Sequence, residues 1–270
     1  MEEQPQPIRT FRLELSFDGT EYHGWQRQPN GITVQEVLED RLCHLFNTRE
    51  IRVQGSSRTD SGVHALGMAA SFQAPPSPYI PDWKIKKALN RLLPPSIKIR
   101  EAVVVEDGFN ARFSAHSKAY VYVINTGDLN PFTCRWSWHI SDLINSEGMR
   151  EALSFLEGKH DFSTFTVELD PSKDHVRTIL KTDIKKFGPL ICIYVLGDGF
   201  LYKMVRSMVG AVADVGRGKL TPESVKTMLE AKNRSAARDT APALGLFLLK
   251  VFYDESWKDH DFDKPPFWMM

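Results

Sequence analysis

A chain of 270 residues with 42% hydrophobic content has material for one large core or two modest ones. Its 34 Lys and Arg balance 34 Asp and Glu, which neither marks nor excludes a nucleic-acid binder, because binding depends on where charge lies. No apolar run reaches membrane-spanning length, no signal-peptide pattern is present, and Cys43, Cys134 and Cys192 show no close pairing; the chain is therefore expected to be a cytoplasmic protein with buried thiols.

Residues 1–8 are polar and interrupted by proline, which predicts a flexible N-terminus. Phe11, Leu13, Leu15 and Phe17 alternate with Arg12, Glu14 and Ser16, the period of a half-buried strand. Thr33-Val34-Gln35-Glu36 predicts a capping box, with Thr33 as cap and Glu36 reaching back, ahead of a helical stripe of Val37, Leu38, Leu42, Leu45 and Phe46. Strands near 51–56 and 67–73 follow, bracketing a polar turn. Pro75-Pro76-Ser77-Pro78 breaks the chain before a helix over 81–92, ended by Pro94-Pro95, and a strand over 97–105. Strand, helix, strand, strand, helix, strand is the split βαβ order of a ferredoxin-like unit.

The second half repeats this order loosely. A strand over 115–125 leads to a helix over 147–157 with Ser146 as cap. A hairpin of 176–187 and 190–196 turns at Gly188-Pro189. A helix over 200–215, another opening at Thr221-Pro222 with proline at its first position, and a strand over 245–253 complete the pattern. The expected fold is α+β, with two related halves, 9–106 and 107–254, meeting near 106–112. The stretch 255–270 is aromatic and charged without periodicity and has no assignment.

Charge is distributed unevenly. Residues 84–118 hold eight bases against three acids, and residues 203–238 again hold eight against three. A single such cluster is as readily a solvated helix face; two of them are also the footprint of a phosphate-binding cleft.

The turn between the strands near 51–56 and 67–73 reads Gly55-Ser56-Ser57-Arg58-Thr59-Asp60-Ser61-Gly62-Val63-His64-Ala65. By spacing alone, Asp60 is a turn former, and Gly62 is placed for a positive φ. A Ser/His/Asp hydrolase drawn from Ser57 or Ser61, His64 and Asp60 would crowd into one loop, without a Gly-x-Ser-x-Gly elbow. His160-Asp161 and Asp259-His260-Asp261 lack a third ligand at metal spacing, so no metal is expected. No phosphate loop is present, which argues against a nucleotide cofactor.

The run Arg58-Thr59-Asp60-Ser61-Gly62-Val63-His64-Ala65 resembles the signature of the tRNA pseudouridine synthase A (TruA-like) family. Further matching segments follow in family order: Phe17-Asp18-Gly19-Thr20-Glu21-Tyr22-His23-Gly24-Trp25-Gln26-Arg27-Gln28, Val34-Gln35, Phe109-Asn110-Ala111-Arg112-Phe113-Ser114-Ala115, Lys118-Ala119-Tyr120-Val121-Tyr122, Gly199 through Gly210, and Ala241-Pro242-Ala243-Leu244-Gly245-Leu246. The resemblance covers about residues 9–254. It implies two ferredoxin-like halves whose antiparallel sheets join into one extended central sheet around an active-site cleft, in a homodimer.

It also implies conversion of uridine to pseudouridine at positions 38, 39 and 40 of the tRNA anticodon stem-loop, without a cofactor. Asp60 is then the catalytic carboxylate, acting either as nucleophile or as base on the ribose. Arg206 pairs with it, since an arginine among Met204, Val205, Met208 and Val209 would otherwise be buried without a partner. Tyr120 stacks on the target base, and Tyr122 packs. Arg58 helps to evert the nucleotide. His64 touches phosphate or closes the loop, the second being the first-ranked role. Ser57 stands where the family has glycine, and Ala119 where it has Arg or Thr, which puts one backbone or phosphate contact in doubt. The competing expectation is a non-catalytic RNA-binding protein or RNA-folding chaperone on the same scaffold.

Overall fold

The computed structural model describes residues 8–129, 131–142, 145–167, 170, 172 and 174–262; the expected flexible N-terminus, apart from Ile8, lies outside them. The chain divides into two compact units. The first runs to Ala115 and includes Leu248–Tyr253; the second comprises His116–Phe247 and the chain from Asp254 onward.

The first unit contains β1 (Arg9–Phe17), α1 (Val34–Leu45), β2 (Gln54–Gly55), β3 (His64–Ala74), α2 (Asp82–Leu92) and β4 (Ile97–Val105). β1 lies between β4 and β3, and β2 pairs with β3, all antiparallel. This is the ferredoxin-like arrangement that the element order predicts. Phe11, Leu13 and Leu15 of β1 point to one face of the sheet and are fully buried, as are Leu38 and Leu42 of α1 and Ile85 and Leu89 of α2. Phe11 stacks on Phe72 of β3, with centroids 5.4 Å apart. Burial of such side chains contributes about 1.5–3 kcal/mol each.

The unit extends past residue 106 because the following segment is tied to the sheet. The Ala111 N–H donates to Ser71 Oγ at 3.0 Å, Tyr253 Oη donates to the Ala111 carbonyl at 2.8 Å, and Phe109 packs on Tyr253. Thr33 caps α1 as expected, its Oγ accepting from the Glu36 N–H. The Glu36 carboxylate turns to Arg27 rather than completing the box.

The second unit contains β5 (Ser117–Asn125), β6 (Trp138–His139), α3 (Ser146–Ser154), β7 (Gly158–Asp161), β8 (Val176–Phe187), β9 (Leu190–Gly197), α4 (Met204–Gly216) and α5 (Pro222–Ala231). β10 (Leu246–Phe252) starts here and ends in the first unit. β5, β9, β8 and β7 are successive antiparallel neighbours, and β6 runs parallel to β5. β5 and β9 are buried on both faces, and α4 is buried along nearly its whole length. Gly210 of α4 is required by close approach: a Cβ there would stand 1.9 Å from the Asp239 carbonyl oxygen.

Some expected boundaries move. α4 begins at Met204 instead of residue 200, because Lys203 takes a left-handed conformation (φ 59°) that a helix cannot continue through. The cap of α3 is Asn145, whose side chain accepts from the Gly148 N–H, and Ser146 is the first helical residue. β3 begins at His64, so the end of the polar turn is already strand. Gly188 adopts φ 58° in the β8–β9 turn as its position predicts. From the tail, Phe262 is buried and stacks on Tyr194 of β9 at 4.8 Å. Cys192 is buried, which pushes its thiol pKa up to about 12, whereas Cys43 and Cys134 are half-buried rather than buried. Among the described residues, no helix is long and apolar enough to cross a membrane.

Candidate active site

The polar turn leaves β2 at Gly55 and enters β3 at His64, and its backbone is fixed from below by residues 18–25. The Trp25 N–H donates to the Thr59 carbonyl at 3.1 Å. Ser61 Oγ and the Gly62 N–H both donate to the Tyr22 carbonyl, at 3.2 and 3.3 Å. The Val63 N–H closes the turn on the Asp60 carbonyl at 3.1 Å. Gly62 has φ 77°, the left-handed conformation expected for it.

Two glycines of the supporting segment are there because the turn lies directly on them. A Cβ on Gly19 would stand 2.0 Å from the Val63 carbonyl oxygen, and one on Gly24 would stand 2.6 Å from that of Thr59. Gly55 faces the Trp25 indole in the same way, at 2.3 Å. The Phe17-to-Gln28 segment is thus the bed on which the Asp60 loop lies.

On this bed Asp60 is half-buried and Arg58 exposed. Arg58 makes no hydrogen bond or ion pair among the described residues. His64 is only 1% exposed, and its Nδ1 lies 3.0 Å from the Gly19 nitrogen and 3.1 Å from Asp18 Oδ1. One nitrogen cannot serve both: unprotonated, Nδ1 accepts from Gly19; protonated, it donates to Asp18. His64 therefore ties the loop's exit to the supporting segment, the loop-closing role ranked first for it.

Burial opposes the Asp18 charge, but hydrogen bonds from His64 and from the Thr20 hydroxyl and N–H outweigh it and hold the carboxyl well below its ordinary 3.8. A depressed carboxyl pKa stabilises the fold fully above the ordinary value and loses that contribution as pH falls below it. Asp18→Asn is accordingly expected to lower the melting temperature at pH 7. The gap to wild type should stay constant down to about pH 4 and narrow below 3.8, as thermal melts across that range would show.

In the second unit Tyr120 and Tyr122 of β5 pair with Val195 and Ile193 of β9, in a regular register that puts both tyrosines on one face. Tyr120 is 7% exposed, and its ring meets Phe200 edge-on at 4.9 Å. Tyr122 is fully buried; its hydroxyl donates to the Pro242 carbonyl at 2.8 Å, and burial raises its pKa against the opposing charge of Arg206. Packing is its role, as expected. Ala119 is fully buried.

Arg206, in the first turn of α4, is half-buried; its Nε donates to the Ala241 carbonyl at 2.8 Å, and the Ala241 N–H returns a bond to the Arg206 carbonyl at 3.1 Å. The 241–245 segment is a strap that receives both Arg206 and Tyr122. Gly245 lies on the Tyr122 ring, 2.7 Å from a would-be Cβ.

The first unit thus brings together Asp60, Arg58 and His64, and the second places Tyr120 and Arg206 on neighbouring elements. Sequence reasoning missed Asp18, Gly19, Gly24 and the Ala241 and Pro242 carbonyls as positioning groups, although each lies in a segment that it singled out.

The two basic clusters differ. In 203–238, Arg217 pairs with Asp142 at 3.0 Å, while Arg238 and Lys219 both pair with Asp214, at 2.9 and 3.9 Å. Part of that cluster is neutralised within its own unit. In 84–118, Arg100 reaches Glu14 at 3.7 Å, but the bases of α2 have no acidic partner among the described residues. Also among the described residues, no group of His, Cys, Asp or Glu side chains is placed to hold a metal ion.

A family model described as tRNA pseudouridine synthase matches residues 15–114 and 152–254. The tRNA pseudouridine synthase A of Geobacter sulfurreducens is 43% identical over 245 residues, covering 90% of this chain and 99% of its own. That of Bacillus subtilis strain 168 is 43% identical over 247 residues, with the same coverage. That of Thermosipho melanesiensis is 43% identical over 249 residues, covering 91% of this chain and all of its own.

Proposed function

The chain belongs to the tRNA pseudouridine synthase family, and from that premise we propose that it isomerises uridine to pseudouridine in the anticodon stem-loop of tRNA, at positions 38, 39 and 40, with Asp60 as the catalytic carboxylate. The observation that carries this reading is the Asp60 loop itself: a carboxylate on a turn held rigidly by two glycine contacts and a row of backbone hydrogen bonds, within the matched region. Rigid support is what a reacting group needs, since small misplacements cost large factors in rate.

The reaction breaks the N1–C1′ bond, turns the base and forms a C5–C1′ bond, with a proton leaving C5 and one arriving at N1. It is an isomerisation and consumes no cofactor. Asp60 starts it either by attack on the sugar or by taking a proton from the ribose. Both routes need an ionised carboxylate, and a guanidinium, the role given to Arg206, would clamp it and keep it charged. Tyr120 stacks on the base. Arg58, an exposed cation without a partner among the described residues, fills the space that the everted nucleotide leaves; eversion itself costs a few kcal/mol. His64 positions the loop. The protein works in the cytoplasm as a homodimer.

Purified protein incubated with unmodified tRNA is expected to convert uridine to pseudouridine with no added metal or nucleotide; tRNA returned unchanged would refute the function. Because phosphate contacts supply much of the affinity, tRNA binding is expected to weaken steeply between 50 and 200 mM salt, by about an order of magnitude or more. A dissociation constant indifferent to salt would contradict an RNA-binding cleft.

A further inference from the structure

Besides the catalytic loop, the first unit carries an exposed cationic helix face with no acid among the described residues to answer it. In α2, Trp83, Lys87 and Arg91 follow one another at four-residue spacing, with Lys84 beside them, so the four side chains share one face. The opposite face is the buried one: Ile85 and Leu89 enter the core. Asn90 fastens the helix to β4 through two bonds with Ile99, donating at 2.9 Å and accepting at 2.8 Å. The outward face is therefore held on a rigid support.

The side chains of Lys84, Lys86, Lys87 and Arg91 make no hydrogen bond or ion pair among the described residues, and all four residues lie outside the core. The single acid of the helix, Asp82, is taken up by Arg9. Trp83 is 76% exposed, with Lys84 Nζ 4.9 Å from its ring centroid. Like charges three and four residues apart repel along a helix, and no acidic side chain among the described residues pairs with these bases to offset that repulsion.

The helix that carries the stripe leads into the support of the Asp60 loop. Beyond Arg91 the chain turns through Leu93 to Ser96, whose carbonyl accepts from the Asp18 N–H at 2.9 Å and whose Oγ lies 2.7 Å from Tyr22 Oη. Asp18 and Tyr22 belong to the segment on which the Asp60 loop lies. The C-terminal end of the stripe thus leads into residues that brace the Asp60 loop, and the stripe from Trp83 to Arg91 runs about 12 Å along the helix.

We propose that this face of α2 is a second RNA-contact surface, gripping the phosphodiester backbone of the tRNA away from the target nucleotide, with Trp83 stacking on an unpaired base. A polyanion matches the three cations of this face, and an exposed indole beside them suits single-stranded RNA. The inference presupposes the tRNA substrate proposed above.

The test uses the full chain and an unmodified tRNA transcript. Lys84→Ala/Lys87→Ala/Arg91→Ala is expected to raise the dissociation constant and KM about tenfold and to leave kcat unchanged. The salt slope of binding should fall by about one for each phosphate that the variant no longer neutralises. Lys84→Arg/Lys87→Arg/Arg91→Lys, which keeps the charges, should restore affinity. Should the triple variant melt early, Lys87→Ala alone carries the test, with a slope reduction of about one. Wild-type affinity and salt slope in these alanine variants would overturn the proposal and point to another occupant, such as an acidic protein. A wild-type protein that binds tRNA with an α2-dependent slope yet makes no pseudouridine would overturn the catalytic reading and leave this surface standing.

Discussion

Asp60→Asn is expected to reduce pseudouridine formation by about 1,000-fold or more, the scale of losing a reacting carboxylate, while changing tRNA affinity little. The substitution is isosteric, and the Asp60 backbone carbonyl, the Thr59 carbonyl and Gly62 all help to hold the loop. Fold and RNA surface should therefore survive while either mode of action, attack or proton abstraction, is lost. Single-turnover product formation and filter binding on the same preparation separate the two effects. A wild-type rate in the variant would remove Asp60 from the mechanism. Loss of product with binding intact would also dispose of the non-catalytic RNA-binding reading, provided that the wild-type protein turns over.

The second large effect concerns a residue that does no chemistry. Gly19→Ala would set a Cβ 2.0 Å from the Val63 carbonyl oxygen and 2.7 Å from its carbon. Both are backbone atoms of the Asp60 loop and cannot swing aside as a side chain would. The loop must lift from its bed, at a cost of about 1–3 kcal/mol in stability. A displacement of about 1 Å at the reacting group is enough for a hundredfold loss in kcat. Denaturant melts and kcat measured together test this. A variant with wild-type values of both would mean that the loop is not held in place by the 18–25 segment.

Local signals in the sequence were sufficient for much of the architecture. Alternation from Phe11 to Phe17 placed β1, the prolines around 75–95 bounded α2, and Gly188-Pro189 fixed the β8–β9 hairpin. Asp60, Tyr120 and Arg206 stood out through the segments around them. What stayed hidden is non-local. Gly19 and Gly24 look like ordinary turn glycines until a loop some forty residues further on is laid across them. Asp18 and His64 are each unremarkable alone, and only their contact shows that they lock the loop.

Periodicity carried α4 back to residue 200 because apolar spacing does not register the left-handed Lys203. A count of bases could not tell the 203–238 cluster, partly answered by Asp142 and Asp214, from the α2 stripe, which has no such answer among the described residues. The Arg206 side chain illustrates both sides. Its apolar neighbours pointed to an ion pair with Asp60, whereas the Ala241 carbonyl that its Nε meets lies 35 residues further on, in a segment with no polar side chain to advertise it.

The most direct measurement is a nucleotide-resolution map of pseudouridine in tRNA incubated with and without this protein. New pseudouridine confined to positions 38, 39 and 40, and absent when Asp60→Asn replaces the wild type, is the expected result. No new pseudouridine, new pseudouridine only outside the anticodon stem-loop, or an unchanged map with the Asp60 variant would contradict it.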